Sequence, residues 1–257
     1  MGFQLLANAP LAEFNFAMLG GYFVTEVVMY AVGFLIARRV FKTDVMEAAL
    51  LGLAIALTNH ILFVLPIAVT LFGETAATPI VAIISMDGIL IFSGSLILMD
   101  VLSTKGTSVG HTLGKIARNP PLVAMVLGLV VGLLGVSVPT GFDVFADFLG
   151  ATASPVLLFA LGVILSQKAG GARPMLPVAI TAVKLVVHPL LAWAIFSGVL
   201  QLTPEVRNPA MMVAAAPCGA MCFMLALNYG VRVDAIARAV LYSSIGSLVT
   251  ITVSASL

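Results

Sequence analysis

The chain has 257 residues, of which 61% are hydrophobic and 9% charged, and its mean hydropathy is +1.17. Soluble domains are about 45–50% apolar and about 25% charged, so this composition excludes an ordinary soluble domain and reads as a polytopic, all-α membrane protein. A formal net charge of +1 without clustered basic residues excludes a nucleic-acid footprint.

Cys218 and Cys222 lie in one apolar stretch; their spacing is not the redox spacing, and no Cys/His set has zinc spacing. No metal or cofactor site is read from the chain. Residues 1–15 contain no Lys or Arg and no long apolar core, so they do not read as a signal peptide.

A spanning helix needs about 20 mostly apolar residues. Eight stretches qualify in chain order: 16–37, 47–72, 79–101, 120–138, 142–166, 174–200, 209–229 and 234–257. A polar connector with Lys105, His111, Lys115 and Arg118 follows the third, and a Gly-rich turn at 169–172 precedes the sixth. Placing the loops after the first, third, fifth and seventh stretches on one side gathers ten of the twelve Lys and Arg residues there. The opposite side holds only Arg207, and Lys184 lies within the sixth stretch. Cytoplasmic loops carry the Lys/Arg excess, so both termini are expected to be extracytoplasmic.

Pro79, Pro120, Pro174 and Pro209 open spans, where the missing N–H costs nothing. Pro66, Pro155, Pro189 and Pro217 lie deeper and are expected to kink or break their helices. The second and seventh stretches are thus interrupted, and they end alike, in Phe72-Gly73 and Tyr229-Gly230. On the charge partition they run in opposite directions. Interrupted segments at corresponding places in two inverted halves point to a transporter binding site. The competing reading is that Pro66 and Pro217 only kink packed helices.

Five stretches carry a family resemblance: Asn59 to Gly73 with its Leu65-Pro66; Arg118-Asn119-Pro120-Pro121-Leu122; Pro155 to Gly162; Lys184-Leu-Val-Val-His188-Pro189-Leu190; and Ala216-Pro217 through Gly230. In order and spacing they resemble the auxin efflux carrier family, which includes bacterial malonate-type permeases and plant PIN-type auxin carriers. The resemblance covers about residues 10–257. It implies an inverted five-plus-five repeat whose fourth and ninth helices are broken and cross at mid-membrane. It also implies a scaffold, a moving transport domain and a homodimer. The eight stretches correspond to family helices three to ten, and the first two family helices have no counterpart. On this reading residues 1–15 are an extracytoplasmic segment. Residues 16–101 hold the first transport-domain helices, with the broken one at 47–72. Residues 102–119 form a cytoplasmic loop, 120–167 the scaffold helices, and 174–257 the second transport-domain set, with the broken one at 209–229. Met221 stands where many family members carry asparagine.

At such a crossing two half-helices would aim positive dipole ends and free N–H groups into one small volume, which suits a carboxylate. The expected substrate-binding residues are Asn59, His60, Pro66, Pro217, Cys218, Gly219 and Met221. Ionisable residues within spans are functional candidates: Asp87, with Lys184 and His188 four apart on one helix face, is expected to couple charge or protons to transport, with a direct Lys184–Asp87 contact. A locked structural ion pair is the other reading of those three. Glu26, mid-span with no partner evident, reads as structural, His60 equally as a cap, and the cysteines as packing residues.

The functional expectation is a secondary transporter, not an enzyme, that moves a malonate- or auxin-like organic anion by an elevator-type mechanism, proton-linked, in a bacterial inner membrane. The alternatives are a shortened inactive relative or partner subunit, and an intramembrane lipid-modifying enzyme. The enzyme lacks support in any acidic cluster, H-E-x-x-H or G-x-S-x-G motif.

Overall fold

The computed structural model describes residues 2–9, 11–103, 114, 117–118, 120–166 and 173–256. Lys105, His111, Lys115 and Asn119 of the expected connector, and Lys168 with the turn 169–172, lie outside them. Among the described residues the chain is helical, with one isolated antiparallel bridge and no strand. The helices are α1 (Gly2–Ala7), α2 (Phe16–Val40), α3 (Val45–Ala56), α4 (Leu65–Phe72) and α5 (Glu74–Ser103). They continue as α6 (Pro120–Leu134), α7 (Thr140–Ser166), α8 (Met175–Val199), α9 (Pro204–Ala215), α10 (Met221–Asn228) and α11 (Asp234–Ala255).

Four of these, α2, α5, α8 and α11, are long and apolar enough to cross a membrane. The α3 and α9 helices have 12 residues each, and α4 and α10 have 8 each. At about 1.5 Å per residue no such piece crosses about 30 Å of hydrocarbon alone. The α3 and α4 helices flank one interruption, and α9 and α10 flank the other.

The prolines act differently from the sequence expectation. The first break lies at residues 57–59, well before Pro66. Pro66 sits in the first turn of α4, after a widened π-turn at His60–Val64, and is exposed. Pro189 likewise follows a π-turn, Val183–Val187, within a helix that continues. A π-turn leaves room for the proline ring that a regular α-turn lacks. Pro155 lies inside α7, which runs on without a break. Pro204, not Pro209, opens α9. Only Pro217 stands within a break. The two half-helices do end alike: Gly73 and Gly230 adopt φ of 81° and 65°, values that L side chains rarely take.

Within the expected N-terminal segment, Gly2–Ala7 is helical. The α1 helix lies along α6 with its backbone against Gly128 and Gly132; a Cβ at Gly132 would stand 2.6 Å from the Leu6 carbonyl oxygen. Small residues allow such close approach. Gln4 Nε2 also donates to the Asp143 carbonyl and Oδ1 on α7, both at 3.0 Å.

The apolar core falls into two layers. One joins Met29 of α2, Leu53 of α3, Ile91 of α5, Ile180 of α8, Phe223 of α10 and Val240 of α11. The other joins Met18 and Tyr22 of α2, Ala68 of α4, Ile83 of α5, Phe196 of α8 and Met212 of α9. At the end of the first layer Arg173, before α8, pairs with Glu47 of α3 at 3.4 Å and donates to the Lys42 carbonyl at 3.1 Å.

Candidate functional site at the helix crossing

The two breaks meet. Thr58 and Cys218 form the antiparallel bridge. The Asn59 N–H donates to the Pro217 carbonyl at 3.2 Å, and the Gly219 N–H to the Leu57 carbonyl at 2.7 Å. Two further freed groups find side chains. The Cys218 N–H donates to Ser243 Oγ at 3.0 Å, and Thr250 Oγ1 donates to the Ala215 carbonyl at 2.6 Å. In hydrocarbon, irregular backbone persists only when protein satisfies it in this way. The cost is that three N–H groups expected to face a ligand, those of Asn59, Cys218 and Gly219, are spent on the crossing.

Polar side chains gather around the bridge, between the two apolar layers. On each contributing helix the polar residue falls between that helix's members of the two layers: Glu26 between Tyr22 and Met29 on α2, and Asp87 between Ile83 and Ile91 on α5. Lys184 and His188 stand between Ile180 and Phe196 on α8. Glu26, Lys184 and His188 have no exposed surface, and Thr58, His60 and Asp87 almost none.

Lys184 Nζ lies 2.6 Å from Thr58 Oγ1 and 2.9 Å from His188 Nδ1. An ammonium only donates, so Thr58 and His188 Nδ1 accept. That leaves the His188 proton on Nε2, which faces Thr25 Oγ1 at 3.5 Å. Thr25 in turn donates to the Tyr22 carbonyl at 2.6 Å. On the other side of the crossing, His60 Nε2 lies 2.8 Å from Asp87 Oδ2. This is an ion-pair distance, although the atoms are not aligned as a hydrogen bond.

The pairing differs from the sequence expectation. No direct Lys184–Asp87 ion pair forms among the described residues: Asp87 meets His60, and Lys184 meets Thr58 and His188. Glu26 is not isolated, because Asp87 and Lys184 neighbour it. Asn59 is half-buried at the bridge and Met221, also half-buried, opens α10. Pro217, Cys218 and Gly219 form the second break, whereas Pro66 lies on α4 away from the crossing. Cys222 Sγ contacts the Gly219 carbonyl at 2.7 Å, and both thiols are free and buried. Thr25, Thr58, Tyr22 and Ser243 were not singled out from sequence. Thr58 alone carried a signal, as the hydroxyl beside Asn59 in an otherwise apolar run. Among the described residues no group of three or more His, Cys, Asp and Glu side chains is placed to hold a metal ion.

Comparison with known proteins agrees with this architecture. The profile of the family described as "Membrane transport protein" matches residues 3–255. A protein of Rhizobium meliloti (strain 1021) named "Putative malonate transporter" is 26% identical over 259 aligned positions, covering 97% of this chain and 80% of the relative. A match over nearly the whole chain, joined to apolar helices and a crossing of two interrupted helices, places this chain in the membrane transport protein family, that of the auxin efflux carriers.

Proposed function

We propose that this chain is a secondary transporter that carries a small organic carboxylate, malonate or a close analogue, through the membrane at the crossing of α3–α4 and α9–α10. The observation that carries the reading is the fully buried Lys184 ammonium at the Thr58–Cys218 bridge. A buried cation at the point where two half-helices begin is suited to an anion. The half-buried Asn59 amide supplies both a donor and an acceptor beside it. The name of the Rhizobium relative supports the substrate class.

In this reading the chain spans the membrane eight times. The units α2, α3–α4, α5 and α8, α9–α10, α11 form an inverted repeat, supported by the antiparallel bridge and the matching glycine ends at Gly73 and Gly230. The α6 and α7 helices act as scaffold and provide the face of a homodimer. The two repeats move against them as an elevator, exposing the crossing to each side in turn. The basic loops face the cytoplasm of a bacterial inner membrane, with both termini outside. His60, Asp87, Lys184 and His188 link transport to protons.

The test is uptake of labelled malonate, succinate and acetate into proteoliposomes holding the purified chain, with and without an imposed proton gradient. Saturable uptake of a carboxylate, enhanced by the gradient, is the expected result. Folded protein that moves none of them sinks the proposal.

A further inference from the structure

The mid-membrane layer does not balance its charges by itself. With the His60 imidazole neutral, it holds two carboxyls, Glu26 and Asp87, against one lysine, Lys184. His188 accepts from Lys184 and so carries no second proton. A net charge buried at this depth is costly. One further proton, beyond that of Lys184, makes the layer neutral.

The geometry indicates where that proton goes. Neither oxygen of Glu26 receives a hydrogen bond from a protein donor, though the side chain is wholly buried. A second carboxyl, that of Asp87, neighbours it. Two carboxyls join through a hydrogen bond only when one holds a proton, since the ionised group is an acceptor only. The groups that face the pair are Tyr22 from α2, Thr58 and His60 from the first break, and Lys184 and His188 from α8. Among these, only His60 competes for the proton, through its contact with Asp87.

A cavity of about 130 Å³ is lined by Glu13, Asn15 and Met18 before and within α2, by Thr78 and Ala82 of α5, and by Val206 of α9. It lies at the end of α2 opposite Arg38 and Arg39. Met18, Tyr22 and Glu26 follow one another at spacings of four along a single face of α2. Met18 lines the cavity, and Tyr22, fully buried, follows it one turn further along α2. Glu13 is exposed where it lines the cavity.

We infer that Glu26 and Asp87 bind the transported proton between them, and that it arrives through the Glu13–Met18 cavity by way of Tyr22. The step is a proton transfer alone: one carboxylate gains the proton and a later opening to the other side releases it. This rests on the reading of the chain as a proton-linked carrier.

The experiment uses the full chain in proteoliposomes with three readouts. Infrared difference spectra on stepping the external pH should show the carbonyl band of a protonated carboxylic acid, lost in both E26Q and D87N. A band unchanged in both variants overturns the inference whether or not transport occurs. Gradient-driven malonate accumulation should be lost in E26Q; full accumulation by E26Q also overturns it. Wild-type protein that exchanges no malonate would instead refute the transporter reading, and the infrared result would still decide the proton site. Filling the cavity with A82F should slow the response of the band to external pH, and an unslowed response removes this route.

Discussion

The Lys184 ammonium donates to the Thr58 hydroxyl at 2.6 Å, and Thr58 is the residue through which the first interrupted helix bridges to the second at Cys218. The charge and the crossing are therefore one unit. Moving Lys184 moves the bridge.

Removing that ammonium should be costly. Lys184→Met deletes the buried hydrogen bonds to Thr58 and His188, and each buried polar group left unsatisfied costs about 1–3 kcal/mol. Lys184→Arg keeps the charge, but a planar guanidinium does not fit the place of a compact ammonium between Thr58 and His188. Thermal unfolding in detergent should show a large fall in midpoint for the first variant and a smaller one for the second, with carboxylate uptake lost in both. An unchanged midpoint in Lys184→Met would show that Lys184 does not hold the layer together.

Gly219 is constrained by its neighbour across the crossing. A Cβ there would stand 2.7 Å from the Leu57 carbonyl oxygen and 3.0 Å from its carbon. Both atoms belong to backbone held by the Gly219 N–H itself, so neither can yield cheaply. Gly219→Ala should destabilise by about 1–3 kcal/mol, the usual cost of overpacking. Gly162 on α7 has open space around its Cβ position, and Gly162→Ala should stabilise by about 0.5–1 kcal/mol through helix propensity. Unfolding midpoints that move in opposite directions are the expected outcome.

The α1 helix depends on Gly128. A Cβ at that position would collide with the Phe3 backbone. Gly128→Val should therefore release α1 and break the Gln4–Asp143 contact while leaving the distant crossing intact. A cysteine placed by Gln4→Cys should be labelled faster by a thiol reagent in the Gly128→Val background. Equal labelling with and without the valine would show that α1 is held by something other than this close approach.

Asp87, Lys184 and His188 were legible in the sequence because ionisable residues are rare within apolar spans. Their partners were not. Which side chains meet across helices depends on the rotational phase of each helix, and each π-turn shifts that phase by about one residue, roughly 100°. Such turns lie at Asp87–Phe92 and at Val183–Val187, beside the very residues in question. Spacing of four does place Lys184 and His188 together, yet nothing in the sequence turns Asp87 toward His60 or Glu26. Glu26 looked partnerless because its partner lies on another helix.

Composition and hydropathy by themselves determined that this chain is a membrane protein of long apolar helices. The reason is local: in hydrocarbon each backbone N–H and C=O must be satisfied within its own segment or against adjacent protein. The paired Phe-Gly and Tyr-Gly endings, and the breakers in the second and seventh stretches, were local signals too. Tertiary structure decided where the first break falls and which groups close it. Pro66 can sit in a first helical turn without breaking anything, whereas the Leu57 and Pro217 carbonyls need donors that only the opposing break supplies. It also assembled the polar layer, since a buried charge settles beside whatever neighbour neutralises it, and those neighbours come from four separate segments of the chain.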